Sequence, residues 1–121
     1  AFQLRDDVLG VFGDPETTGK PAGDDLREGK RTVLVAHTLT GASAAGRGRV
    51  EELLGRADLA QEHVEDLRAI ITESGAVTAV EAEISRLAEQ SLAALGRATG
   101  VAADARAVLA DLVEISTART A

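Results

Sequence analysis

Residues 2–30 read FQLRDDVLGVFGDPETTGKPAGDDLREGK, and this stretch decides how the rest of the chain is interpreted. An α-helix turns by about 100° per residue, so a helix over its first part gathers its polar and small residues on one stripe. The residues of that stripe are Asp6, Gly10, Gln3, Asp14 and Asp7. The apolar residues fall on the opposite side: Phe2, Leu4, Val8, Leu9, Val11 and Phe12. Two adjacent carboxylates and an amide beside a glycine are typical of the wall of a metal site.

A loop rich in glycine and proline follows this helix. Asp14 precedes Pro15, and a residue before proline is disfavoured in the helical region, so we expect the helix to end there. The charged residues farther along are Lys20, Asp24, Asp25 and Lys30. Mg²⁺ is usually bound by one or two carboxylates together with phosphate oxygens and water, and lysines neutralise phosphate oxygens that a metal does not reach. The pattern therefore predicts an anionic ligand held partly through magnesium.

The order F-Q-x-x-D-D-x-x-x-x-x-G-D-P-x-x-T-G-K, with an aspartate and a lysine beyond it, resembles a known family. It is similar to the second aspartate-rich region of the trans-isoprenyl diphosphate synthases, the polyprenyl synthetases that make farnesyl, geranylgeranyl and longer diphosphates. The resemblance is close over residues 2–34 and looser to the end, including residues 85–92. Many members read D-D-x-x-D, whereas Gly10 occupies the fifth position here. Bacterial geranylgeranyl-type members often have glycine there.

The composition predicts an all-α protein, since alanine, leucine, glutamate and arginine abound and only two prolines occur. The resemblance implies the C-terminal portion of the isoprenoid synthase helical bundle. We expect one all-α segment over residues 1–121, with the metal and diphosphate helix and loop in 1–30 and supporting helices in 31–121. Ala1 starts within the helical pattern without a capping residue. We therefore expect the chain to be the C-terminal fragment of a larger protein.

Apolar spacing predicts helices over about residues 1–13, 32–39, 49–56, 58–73, 76–98 and 104–118, a short turn over 24–30, and a small-residue break over 41–46. The last helix is expected to turn its apolar residues inward: Val108, Leu109, Leu112, Val113 and Ile115. His37 is interpreted as a packing residue and His63 as an exposed one. Arg119 is interpreted as part of a frayed helix end in preference to a phosphate contact.

Composition also limits the kind of partner. The net charge of −7 and two aromatic residues argue against nucleic-acid binding. No apolar run approaches the length of a membrane span. The absence of cysteine excludes disulfides and thiolate chemistry and is compatible with a cytoplasmic protein. We therefore expect a cytoplasmic protein that acts on small molecules.

The resemblance implies a reaction and a role for each residue of the motif. The family joins an allylic diphosphate to isopentenyl diphosphate, head to tail, with Mg²⁺ as cofactor, and the full-length form is expected to be a homodimer. The implied catalytic residues are Asp6, Asp7, Gln3 and Lys20. Among them Asp6 and Asp7 would bind the metal, Lys20 with Lys30 would bind the diphosphate, and Gln3 would lie near the reacting carbon. Asp25 would support the loop, and Gly10 stands where another carboxylate is common.

The family's other half of the site, a first aspartate-rich helix and a basic set for isopentenyl diphosphate, is missing from the sequence. We therefore expect no turnover from this segment alone. One alternative is a non-catalytic helical partner subunit of a prenyltransferase, and a second is a terpene cyclase of the same fold. The simplest alternative is that Asp6, Asp7 and Asp14 form a solvated helix face without a binding role. The spacing of Gly13, Gly19 and Pro21 fails the P-loop pattern, and no window fits an EF-hand.

Overall fold

The computed structural model describes residues 1–118 and consists of eight α-helices over that range, with no strand. The helices are α1 (Phe2–Phe12), α2 (Pro15–Thr18), α3 (Asp24–Glu28), α4 (Val33–Gly41), α5 (Ala44–Leu53), α6 (Gln61–Glu73), α7 (Ala76–Arg97) and α8 (Ala103–Thr117). The all-α prediction is confirmed. Arg119, for which a frayed end was predicted, lies outside the described residues.

The core is one cluster of buried aliphatic side chains to which α1 and α3–α7 all contribute. Its largest fully buried members are Leu26, Leu34, Leu53, Leu67, Ile71, Val11, Val64 and Val80. Removing this apolar area from water is the main favourable contribution to folding. The core thereby fixes the positions of α1 and α3, the two helices that carry most of the predicted site.

Two arginines, one on α1 itself and one on α6, secure α1 to the rest of the bundle. Arg5, on α1, donates both terminal nitrogens to the carboxylate of Glu81 on α7, at 2.5 and 2.8 Å. Its Nε donates to the backbone carbonyl of Thr117, at the end of α8, at 2.7 Å. Arg68, on α6, donates to the carbonyl of Val11 at 2.8 Å, which satisfies a carbonyl that the helix end leaves without an intrahelical partner. The orientation of α1 is therefore set by tertiary contacts at both of its ends.

The start of α5 differs from the prediction. A small-residue break was expected over residues 41–46 and a helix only from residue 49, but α5 already begins at Ala44. The cause is a cap, because the Ser43 side chain accepts a hydrogen bond from the backbone of Gly46 at 3.1 Å. Helix α6 begins at Gln61, three residues later than expected, and α2 was predicted as loop. Helix α5 ends at Leu53, three residues earlier than expected. The other helix boundaries agree to within about two residues.

Three predictions of burial are wrong. Four apolar side chains of α8 that were expected to face inward are exposed by 45–67%: Val108, Leu109, Leu112 and Ile115. His37, interpreted as a packing residue, is exposed, because α4 buries the face formed by Leu34, Val35 and Thr38. His63, expected to be exposed, is half-buried, and its Nδ1 accepts a hydrogen bond from the backbone of Ala60 at 3.2 Å.

Within residues 1–118, no helix has both the length and the apolar character needed to cross a membrane.

Candidate functional site

A cavity of about 490 Å³ lies between α1, the loop after α2, and α3. This volume is within the range of about 300–1,000 Å³ that is usual for small-molecule sites. The residues around it are Gln3, Asp6, Asp7, Leu9, Gly10, Thr17, Thr18, Lys20, Pro21, Asp24, Asp25 and Lys30. The structure thus brings together every site residue predicted from the sequence. Their roles remain predictions.

The acidic wall of the cavity is formed by the polar stripe of α1. Asp7 is buried, with only 8% of the residue exposed, and Asp6 is half-buried. Gln3 lies one turn before Asp7 and donates a hydrogen bond from Nε2 to its Oδ1 at 3.1 Å. This amide compensates part of the desolvation of a buried carboxylate. Gln3 therefore contacts and orients Asp7, in addition to lining the cavity.

The second lysine of the motif is held by the buried aspartate of α3. Lys30 Nζ lies 2.6 Å from Asp25 Oδ1 and 3.6 Å from Glu28 Oε2. The hydrogen bond with Asp25 is the main reason that the pKa of Lys30 is raised above its ordinary value of 10.5. An ammonium group has three N–H donors, so the bond to Asp25 leaves capacity for an anion in the cavity.

The other lysine, Lys20, is exposed and lines the cavity from the loop after α2. Helix α2 precedes it: the Asp14 side chain caps this helix by accepting a hydrogen bond from Glu16 N at 2.9 Å. Gly19 ends α2 in the left-handed region at φ 68°, where glycine is favoured. Asp14, which the helical wheel placed on the stripe with Asp6, therefore serves as a cap at the helix boundary.

Gly10 and Asp25 are in direct contact. A Cβ atom placed on Gly10 would lie 2.0 Å from Asp25 Oδ2 and 2.4 Å from its Cγ. No real side chain tolerates such distances, so the fifth position of the motif must be glycine while Asp25 has this conformation. The departure from D-D-x-x-D thus has a structural counterpart, because a carboxylate from α3 fills the space beside the stripe.

The donor set fits a magnesium ion held jointly with a ligand. In the part of the chain that the structure describes, no group of three His, Asp or Glu side chains is arranged to hold a metal alone. Mg²⁺ does not require one, since it commonly takes one or two carboxylates and completes its shell with phosphate oxygens and water. Asp6 and Asp7 supply adjacent carboxylates on one wall, and the cavity has Lys20 and Lys30 on its other walls.

Several residues around the cavity were not singled out from the sequence as site residues: Leu9, Thr17, Thr18, Pro21 and Asp24. Helical periodicity could not identify the two threonines, because they belong to α2, which is only four residues long. The side chain of Thr18 accepts a hydrogen bond from the backbone of Lys20 at 3.3 Å. Only the folding of this segment back toward α1 makes the two threonines and Pro21 part of the site.

Comparison with known proteins identifies the family. The family model described as polyprenyl synthetase matches residues 1–72. The chain belongs to the polyprenyl synthetase family. It is 38% identical over 109 residues to a geranylfarnesyl diphosphate synthase of Aeropyrum pernix, covering 90% of this chain and 33% of that protein. It is 37% identical over 116 residues to a short chain isoprenyl diphosphate synthase of Methanothermobacter thermautotrophicus, covering 93% of this chain and 34% of that protein.

A solved polyprenyl synthetase shares the fold over nearly the whole chain. The crystal structure of a geranylgeranyl pyrophosphate synthase from Corynebacterium glutamicum, complexed with isoprenyl diphosphate and magnesium, superposes with a TM-score of 0.93 at 44% identity. The match covers 98% of this chain and 34% of that one. The chain therefore spans about a third of the length of the polyprenyl synthetases it matches.

Proposed function

We propose that the chain forms one side of the active site of a trans-isoprenyl diphosphate synthase, which condenses an allylic diphosphate with isopentenyl diphosphate. The observation that carries the proposal is the shared cavity, in which Asp6 and Asp7 lie on the α1 wall and Lys20 and Lys30 complete the lining. An acidic face that is merely solvated does not explain why two lysines line the same cavity as the carboxylates.

The residues of this cavity are suited to a diphosphate leaving group. Magnesium, when bound, supplies electrostatic stabilisation of the negative charge that develops as the diphosphate departs. Asp6 and Asp7 would hold it, and Gln3 keeps Asp7 oriented through its hydrogen bond. Lys20 and Lys30 would donate charge-assisted hydrogen bonds to the phosphate oxygens. Lys30 is already held in the cavity lining by Asp25, and donors that are in place before reaction lower a barrier most effectively.

The remaining predictions belong to the same proposal. The relatives are about three times as long as this chain, and we propose that the rest of the full-length protein supplies the second metal-binding helix and the isopentenyl diphosphate site. The homodimer that the resemblance implies and the cytoplasmic location expected from the composition remain predictions. This segment alone is expected to have no turnover.

The test is Asp6→Ala in the full-length polypeptide that carries this segment, assayed with an allylic diphosphate, isopentenyl diphosphate and Mg²⁺. We expect kcat to fall by about 10²–10³-fold or more, the size of loss seen when one preorganised charge-stabilising group is removed. The matched control is Asp111→Ala, because Asp111 is exposed on α8 and does not line the cavity. Near-normal turnover in Asp6→Ala would refute the assignment.

A second candidate is the non-catalytic partner subunit, and the exposed apolar side chains of α8 favour it. Such a face is suited to contact with another helical chain. This candidate predicts that the full-length polypeptide lacks turnover alone and binds a complete synthase equally well with and without Mg²⁺. Size-exclusion chromatography with and without Mg²⁺, combined with the turnover assay, distinguishes the two candidates.

A further inference from the structure

Gly10 has an unusual environment for a glycine inside a helix. It lies one turn after Asp6 on the polar stripe, in the interior of α1. The three heavy atoms nearest to a Cβ at this position all belong to the carboxylate of Asp25, at 2.0, 2.4 and 3.0 Å. By contrast, Gly48 in the interior of α5 has no atom within 4 Å of such a Cβ. The glycine at position 10 is thus required by one particular side chain.

We propose that Gly10 and Asp25 act as one coupled unit that positions the ammonium group of Lys30 in the cavity. That Lys30 binds a diphosphate rests on the proposed function. The coupling itself rests on the contact between the two residues and on the 2.6 Å ion pair. Asp25 is a positioning residue in this scheme, since it acts through Lys30.

The carboxylate cannot easily move elsewhere. Asp25 is 6% exposed, and a buried carboxylate that loses its partner is strongly destabilising. Helix α3 is fixed at its end, because a Cβ on Gly29 would come within 2.8 Å of Gly55 Cα. The backbone of Gly55 also donates to the carbonyl of Leu26 at 2.9 Å. A side chain at position 10 must therefore displace the carboxylate itself.

Displacing the carboxylate would release Lys30. The lysine side chain is a flexible four-carbon stem, and its strongest fixed partner among the described contacts is Asp25, with Glu28 at 3.6 Å as a more exposed second partner. A methyl group at position 10 would thus change the position of Lys30 indirectly, through Asp25. Gly10 has no functional group, yet it determines where a positive charge lies.

The experiment is a double-mutant cycle in the full-length polypeptide. The affinity for inorganic pyrophosphate in the presence of Mg²⁺ is measured by titration calorimetry for Gly10→Ala, Asp25→Ala and the double variant. We expect each single variant to bind about tenfold more weakly, as for the loss of one hydrogen bond to a charged group. The double variant should match Asp25→Ala, because the clash no longer exists. Gly48→Ala is the matched control and should bind as the unsubstituted protein does.

A second cycle tests the role of Lys30 directly. In a Lys30→Met background, Gly10→Ala should cause no further loss of pyrophosphate affinity, whereas a merely structural effect would still weaken binding. Equal losses from Gly10→Ala with and without Lys30, or additive losses from Gly10→Ala and Asp25→Ala, would overturn the proposal. Unchanged affinity in Gly10→Ala would overturn it too.

Folding failure is also informative. If Gly10→Ala unfolds but the double variant with Asp25→Ala folds by circular dichroism, the coupling is supported. If neither variant folds, the clash is not with the carboxylate and the proposal is wrong. Failure of the proposed function is distinguishable: the unsubstituted protein would then not bind pyrophosphate with Mg²⁺, while the Gly10–Asp25 coupling would still be measured in the free energy of unfolding.

Discussion

Helices α1 and α8 have similar sequence patterns but opposite surroundings. Both are amphipathic and start without a side-chain cap. Val8 and Val11 of α1 are buried in the core, whereas Val108 and Leu112 of α8 are more than half exposed. The two helices show that a periodic pattern identifies which residues share a face. It does not reveal whether another element covers that face.

The number of neighbours explains the difference. Helix α1 packs on α3, α4, α7 and α8 and is held by Arg5 and Arg68. Among the described helices, α8 makes substantial contact only with α7 and α1. Its Arg106 donates to the carbonyls of Leu95 and Ala98 at the end of α7. This link ties α8 to the bundle through polar contacts at one end and leaves most of its apolar face uncovered.

The largest difference in stability between the two helices is expected when an aspartate replaces either a buried side chain of α1 or an exposed side chain of α8. Val11→Asp buries an unpaired carboxylate at a site that is 1% exposed and should destabilise the fold by more than about 4 kcal/mol. Leu112→Asp, at 55% exposure, should change the free energy of unfolding by no more than about 0.5 kcal/mol. Urea denaturation followed by circular dichroism measures both. Equal destabilisation would show that the α8 face is covered in solution.

The next effect concerns the contact that joins the two helices. Arg5→Ala removes hydrogen bonds to Glu81 and to the carbonyl of Thr117. We expect a loss of about 1.5–3 kcal/mol, the usual contribution of hydrogen bonds to charged groups. Amide hydrogen exchange should become faster in the last turn of α8. Arg86→Ala is the control, because the Arg86–Glu83 pair is exposed and local to α7; a similar change there would contradict the prediction.

Glycine-to-alanine substitutions in the two regions should change the free energy of unfolding in opposite directions. Gly96 lies in α7 near α8 and has open space around it, so Gly96→Ala should stabilise the fold by about 0.5–1 kcal/mol through helix propensity. Gly10→Ala should destabilise it by about 1–3 kcal/mol, because the added methyl group overpacks a buried carboxylate. Thermal unfolding measures both. Stabilisation by Gly10→Ala would show that the Asp25 carboxylate moves away from position 10 at little energetic cost.

The smallest effect is a pH dependence on the α1 side. The pKa of Lys30 is raised in the folded state, mainly by its hydrogen bond with Asp25. The stabilisation is therefore fully present below the ordinary pKa of 10.5 and is lost as pH rises through the folded value. Since Lys30 is 45% exposed, we expect at most about 1 kcal/mol. The unfolding free-energy difference between the unsubstituted protein and Lys30→Met should stay constant near neutral pH and diminish above about pH 10.5. A decline near neutral pH would contradict this.

The sequence by itself determined the all-α class, most helix boundaries and seven of the twelve residues that surround the cavity. These follow from local rules, since helical spacing places Gln3, Asp6 and Asp7 on one stripe and proline and glycine confine Lys20 to a loop. The early start of α5 was predictable in principle from Ser43, whose cap outweighs the glycines that follow.

Only the tertiary structure decided which faces are covered and which side chains meet across helices. The exposure of α8 and of His37 depends on what packs beside them, and no periodicity contains that information. The contact of Gly10 with Asp25, fifteen positions apart, likewise arises only when α3 docks on α1. The physical reason is that helix formation is set by neighbours within about four residues, whereas burial and ion pairing depend on the packing of distant segments.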